Sequence, residues 1–205
     1  MLLNINPQNP EGRKIRQVVE ILEEGGVMIY PTDTVYALGC AMDQQAAVER
    51  ICRLRRLDPA QAMLSVLCRD ISQVSGFTRP LNNAVFRLMK RNLPGPFTFV
   101  LETNNKVPKL FKNKKRTIGV RVPDHPIVQD ILEALGQPML TASLKTEEDD
   151  VREYYTDPEL MHKRFGKRVD LVIDGGSGGL TPSTLVFCTA DEPELIRQGA
   201  GELVW

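Results

Sequence analysis

The chain has no excess of either charge: its 26 lysines and arginines are matched by 26 aspartates and glutamates. A dedicated nucleic-acid binder usually carries a basic surplus, so only local charge can serve that role here. Histidine is scarce, with His125 and His162 alone, which excludes a multi-histidine metal site and leaves a Cys–His dyad unsupported. The four cysteines (Cys40, Cys52, Cys68, Cys188) contain no CxxC pair and read as reduced, buried thiols rather than disulfides. No run approaches the ~18 apolar residues of a membrane span. The first residues, MLLNINPQNPEGRK, lack the charged and apolar regions of a secretory signal, so a cytoplasmic location is expected.

What is present is ordinary globular chemistry, 42% hydrophobic and 25% charged over 205 residues, which implies a single domain. Helical spacing of apolar residues predicts helices over 10–24, 44–57 and 80–91, one opening after Asp124, and a short one over 157–165. VMIY (27–30), MLSVLC (63–68), FTFVLE (97–102), TIGVRV (117–122), MLTASL (139–144), DLVID (170–174), STLVF (183–187) and ELIRQG (194–199) read as strands. Some strands alternate with helices and others follow one another directly. That order predicts an α/β (α+β) fold with a mixed sheet rather than a purely parallel one.

Chemistry-bearing residues collect at strand ends. PTDTVYALGC (31–40) follows the first of these strands with two threonines, an aspartate and a tyrosine. It reads either as a turn satisfying its own backbone or as a ligand-binding turn at a strand's C-terminal end. RLRRLDP (53–59) closes a helix with three arginines, which complement the helix dipole or clamp a phosphate. Arg121 alternates with Ile118, Val120 and Val122 and must point away from their face, either into solvent or onto a binding surface. Lys106 to Arg116 holds six basic residues and no acid, with Phe111 its only aromatic, so it is a solvated loop or a phosphate contact without a stacking platform. GGSGG (175–179) lacks the GK[ST] of a phosphate loop and reads as a turn. These residues alone indicate a ligand-binding α/β protein and do not name the ligand.

Taken together, PTDTVYALGC, the helix ending in RLRR, LPGPFTFVL, IGVRVPDHP, MLTASL, TPSTLV and IRQG stand in the order found in the YrdC/YciO family. The chain resembles that family over residues 10–200, and the leucine after RLRR is similar to the YciO branch. The resemblance implies a twisted open sheet of parallel and antiparallel strands with a large concave surface. It implies a threonylcarbamoyl-AMP synthase: ATP, L-threonine and bicarbonate give threonylcarbamoyl-AMP and pyrophosphate, with Mg²⁺, for the threonylcarbamoyladenosine modification of tRNA. Binding of double-stranded RNA or tRNA is also associated with the family. By motif match, Thr32, Thr34 and Tyr36 would line the threonine end. Arg55, Ser143, Ser183 and Arg197 would face the nucleotide, and Arg121 the carboxylate or carbamate. Arg55, Arg121 and Lys145 would be the catalytic set; Lys112, Lys114, Lys115 and Arg116 would contact RNA.

Two departures stand out. Where the family carries KxRP, this chain aligned from Ile51 has Arg55-Arg56-Leu57-Asp58, so an arginine becomes Leu57. A register slipped by two, Arg53-x-Arg55, would recover the pair of cations. Where the family carries STSAN, this chain has TASLK, keeping Ser143 and placing Lys145 at the asparagine. Three readings follow: a weakened or divergent synthase, an RNA-binding protein without this catalysis, or a carbamoyl or nucleotidyl transferase with another acceptor.

Overall fold

The structure is a computed structural model that describes residues 1–58, 65–104, 116–144, 154–190 and 192–205. Chain order is β1 (Leu2–Asn4), α1 (Gly12–Glu23), β2 (Met28–Tyr30), β3 (Ala37–Ala41), α2 (Gln45–Leu54), β4 (Ser65–Leu67), α3 (Ile71–Val74) and α4 (Asn83–Asn92). It continues with β5 (Phe97–Glu102), β6 (Thr117–Arg121), α5 (Pro126–Leu135), β7 (Met139–Ser143), α6 (Pro158–Phe165), β8 (Leu171–Asp174), β9 (Thr184–Phe187) and β10 (Glu194–Arg197).

Local chemistry sets the helix ends. Ile15, Val18, Val19 and Leu22 bury one face of α1, and the chain leaves through Gly25 at φ +82, a conformation that glycine adopts without a Cβ penalty. Asn82 and Asp157 cap α4 and α6 through their side-chain oxygens, each worth about 1 kcal/mol. Pro126 opens α5 and Gly136, at φ +70, closes it. Helix α2 ends at Leu54, earlier than the apolar spacing suggests, because Arg56 takes a positive φ of 50.

The described strands form one open sheet in the order β1-β8-β2-β3-β7-β4-β6-β5-β9-β10. Pairs β1–β8, β2–β8, β4–β6 and β5–β9 run parallel, and the others antiparallel. The mixed sheet expected from the element order is therefore present. Three elements were not anticipated. Strand β3 lies in what reads as a turn, because ALGCA carries no β-branched or aromatic residue. Strand β1 is three residues at an edge, and α3 is a single turn capped by Asp70.

The two sheet faces are covered unequally. One face packs Val66, Phe99, Leu101, Ile118, Val120 and Leu140 against α2 and α4 through Val48, Ile51, Val85 and Met89. On the other face α1 and α5 cover Met28, Tyr30, Ala41, Leu67, Met139 and Leu171. Burial of each such side chain contributes about 1.5–3 kcal/mol. That second cover stops before β6, β5 and β9. The uncovered stretch is where the polar residues of these strands point.

Candidate functional site

Alternation along the strands decides which side chains reach the uncovered stretch. Ser65 on β4 stands opposite Gly119 on β6 and Thr141 on β7. Thr98 on β5 stands opposite Leu185 on β9. Together with Val100, Arg121, Ala142, Ser143, Ser183 and Arg197 they line a cavity of about 310 Å³, closed at one side by Arg55 and Leu57 from the end of α2. The floor is low because Gly119 has no side chain: a Cβ there would collide with the Ser65 hydroxyl and lie 3.1 Å from the Thr98 methyl.

Among the lining residues are three arginines and five hydroxyl groups, and no carboxylate, histidine or cysteine. Such a set cannot assemble a nucleophile with its own general base. It can hold phosphate and carboxylate oxygens, to which arginine presents a planar fork of donors.

Arg121 is the best-fixed member. Its Nη2 donates to Asp33 Oδ1 at 2.5 Å and to Thr34 Oγ1 at 3.1 Å. Asp33 is held in turn, its Oδ2 accepting from the Asp124 backbone N–H at 3.1 Å. The two side chains of the pair are 7% and 6% exposed. Arg121 Nε is buried and has no hydrogen-bond partner among the described residues. The arginine is thus neither solvated nor loose on the sheet face; it is a buried, ion-paired donor set into the cavity wall.

Three of the five lining hydroxyls are braced by hydrogen bonds. Ser183 Oγ and Thr98 Oγ1 share a hydrogen bond of 2.7 Å, and the Ser183 carbonyl accepts from Arg197 Nη2 at 2.7 Å. The Tyr30 hydroxyl donates to Thr141 Oγ1 at 2.7 Å from beneath α1 and α5. Complete burial pushes that phenol well above its ordinary pKa. Gly39 makes room for the ring, since a Cβ there would stand 2.5 Å from Tyr30 Cε1.

Of the residues singled out in the sequence, Arg55, Arg121, Ser143, Ser183 and Arg197 come together around the one cavity. Thr34 lies beside them, against Arg121. Thr32 is engaged in its own turn: its hydroxyl donates to the Val35 carbonyl at 2.8 Å and accepts from the Thr34 N–H at 3.1 Å. Tyr36 is buried and turned toward GGSGG, donating to the Gly176 carbonyl at 2.7 Å and accepting from the Gly175 N–H at 3.2 Å. Burial pushes its phenol up to about 12. Arg116 is exposed just ahead of β6, its carbonyl accepting from the Thr103 N–H at 2.8 Å. Lys145, Lys112, Lys114 and Lys115 lie outside the described residues.

The register question at the end of α2 has a clear geometric answer. Leu57 lines the cavity with Arg55, whereas Arg53 lines a separate hollow with Arg56. The slipped pairing of Arg53 with Arg55 does not form. Sequence reasoning missed Asp33 as the partner of Arg121, and missed Ser65, Thr98 and Thr141. Each of the last three is a hydroxyl set in an otherwise apolar run, Thr141 sharing its strand with Ser143, a signal that was there to be read.

No cluster of three or more histidine, cysteine, aspartate or glutamate side chains suited to a metal occurs among the described residues. No helix is long and apolar enough to cross a membrane among them.

Comparison with known proteins gives a consistent result. The Sua5/YciO/YrdC family model, described as "Telomere recombination", matches residues 20–199. YciO of Escherichia coli K12, a protein described as uncharacterized, is 46% identical over 200 residues, spanning 97% of this chain and 95% of its own length. Its crystal structure superposes with a TM-score of 0.91 at 44% identity, covering 98% of this chain and 97% of the other. A threonylcarbamoyl-AMP synthase of Marinobacter nauticus is 34% identical over 157 residues, 76% of this chain and 80% of that protein. The crystal structure of P. abyssi Sua5 complexed with L-threonine has a TM-score of 0.86 at 27% identity, covering 97% of this chain and 57% of that one.

Proposed function

The chain belongs to the Sua5/YciO/YrdC family, and from that membership and the cavity's lining we propose that it binds ATP and L-threonine there and forms threonylcarbamoyl-AMP from ATP, L-threonine and bicarbonate, at a reduced rate. The observation that carries the reading is the convergence of Arg55, Arg121, Ser143, Ser183 and Arg197 on one cavity from five separate stretches of the chain. Relatives at lower identity are threonylcarbamoyl-AMP synthases, and one structural relative is complexed with L-threonine.

The chemistry suits such a lining. The threonine amine adds to bicarbonate with loss of water, giving a carbamate. A carbamate oxygen then forms a bond to the α-phosphorus while the bond to the bridging oxygen breaks and pyrophosphate leaves. No protein nucleophile is required; the demands are orientation and neutralisation of charge on the phosphoryl oxygens. Arg55 and Arg197 supply cations to the cavity lining, and the hydroxyls of Ser143 and Ser183 supply neutral donors. Arg121, with its pose fixed by Asp33, lines the cavity as the cation that faces a carboxylate or carbamate oxygen.

Magnesium fits this site only as a companion of the nucleotide. No carboxylate lines the cavity, and Asp33 is committed to Arg121 and Asp124. Mg²⁺ is commonly carried on substrate phosphates with several waters retained, and when so bound it would neutralise phosphate charge.

Leu57 accounts for the reduced rate. It stands at the cavity beside Arg55, 38% exposed, where a cation would reach a phosphate. One missing donor to transition-state charge costs about 2.7–4 kcal/mol, or ~10²–10³ in rate. The test is pyrophosphate release with ATP, Mg²⁺, L-threonine and bicarbonate, each omitted in turn. Release that needs both threonine and bicarbonate supports the reading. Release indifferent to either, or none above the omissions while ATP binds, refutes it.

A further inference from the structure

The end of α2 faces two ways. Arg55 closes the cavity, while Arg53 and Arg56 face a second, shallow hollow of about 420 Å³ that they share with Arg50, Lys167 and Arg168. Leu54 is its sixth lining residue, and no acidic side chain lines it. Five cations around one hollow are notable in a chain whose acidic and basic residues balance.

Helix-end electrostatics explain part of this. Arg53 sits in the last turn of α2, where a cation complements the helix dipole. That argument does not reach Lys167 and Arg168, which belong to the connection between α6 and β8. They are brought alongside by Arg50, whose Nη1 bonds Asp170 Oδ2 at 2.7 Å while Nε and Nη2 donate to the Arg168 carbonyl at 3.1 and 2.6 Å. The Arg168 guanidinium is set 5.4 Å over the Phe165 ring. Arg50 therefore staples the connection to α2, and Asp170 balances Arg50 from behind. Arg53 and Lys167 stay exposed in front. Gathering Arg53, Lys167 and Arg168 beside one another is unfavourable until an anion arrives, so a fold that braces their connection in place is organised for one.

We propose that this hollow is a second anion site, separate from the candidate cavity, that takes the phosphate groups of a polyvalent ligand. Arginine forks match phosphate oxygens in pairs. With Arg50 already paired to Asp170, the exposed Arg53, Lys167 and Arg168 call for more than one negative charge, and a lining with one leucine and no aromatic offers little to an apolar body or a stacked base. A phosphate chain could come from a free polyphosphate or from a nucleic-acid backbone, and the same contacts serve both. The site does not depend on the adenylation reading.

The experiment compares the protein with an Arg53→Ala/Lys167→Ala variant, both positions being exposed, after matched melting curves confirm that the variant is folded. One arm titrates inorganic tripolyphosphate by calorimetry; the other titrates a fluorescein-labelled RNA duplex by anisotropy between about 50 and 200 mM salt. Binding to at least one probe is expected, weakened about tenfold or more in the variant. For the duplex, the slope of log affinity against log salt should shrink by about two, one for each lost contact. Binding of tripolyphosphate alone points to a free polyphosphate, and binding of the duplex alone to a backbone. No binding of either probe at low salt overturns the proposal, as does equal binding by the variant, which would place the anion elsewhere on the chain.

Discussion

Removing the Asp33 carboxylate should expose how much of the fold rests on one buried ion pair. In Asp33→Ala the Arg121 guanidinium, 7% exposed, loses its 2.5 Å partner and the Asp124 N–H loses its acceptor. Taking one partner from a fully buried pair costs about 3–5 kcal/mol, because the remaining charge is left uncompensated. Arg121 borders a cavity that water can enter, so the low end applies, about 3 kcal/mol. Asp124 is itself exposed, and water can satisfy its N–H, so that loss adds little.

The informative control is Asp33→Ala combined with Arg121→Met, which removes both charges and keeps an apolar side chain of similar length. If the cost of the single variant is an orphaned charge, the double variant should recover most of it, and the cycle should show a coupling of about 2 kcal/mol. The measurement is urea unfolding at neutral pH with the slope unchanged between variants. A loss below about 1 kcal/mol for Asp33→Ala, or a double variant whose loss equals the sum of the singles, would refute the reasoning.

Three further outcomes follow from the same structure. Leu57→Arg should raise threonine- and bicarbonate-dependent pyrophosphate release by ~10²-fold, since it restores a donor at the cavity beside Arg55; an unchanged rate would remove the missing-donor argument. Burial pushes the Cys40 and Cys188 thiols from 9.0 up to about 12 and raises Cys52. Above pH 9.0 the unfolded chain releases protons that the folded chain keeps, so stability should fall by about 1.4 kcal/mol per pH unit for each such thiol. Ellman's reagent should accordingly react slowly with Cys40, Cys52 and Cys68 of the native protein near neutral pH and rapidly in denaturant, and fast native labelling of more than the half-buried Cys188 would contradict their burial. Burial lowers the His125 pKa below 6.5 against the opposing pull of Asp33 and Asp124. The folded state then resists a proton that the unfolded chain accepts, so stability should be lost as pH falls through 6.5, and His125→Gln should flatten that limb of the stability–pH curve.

How much of this was legible in the sequence depends on whether a residue's role is set locally or across strands. The helices α1, α5 and α6 were readable because apolar spacing, Pro126, Gly136 and Asp157 act within a few residues of one another. Strand β3 was not, because Ala37–Ala41 is held by pairing with β2 and β7 rather than by its own composition. The site divides the same way. Arg121 could be placed on the opposite face from Val120 by alternation alone. Its partnership with Asp33, 88 residues away, depends on where the turn after β2 meets the end of β6, and that meeting is a property of strand order. The order sets β2 and β6 four places apart in the sheet, and no periodicity encodes it. The motifs thus locate the arginines, whereas the pairing of strands decides which of them become buried, fixed donors. Arg55 and Arg53, two residues apart, make the point most sharply: they end one helix, yet one faces the cavity and the other a basic hollow. Any account of Leu57 in catalysis must therefore argue from which way the end of α2 turns, and not from the number of arginines around it.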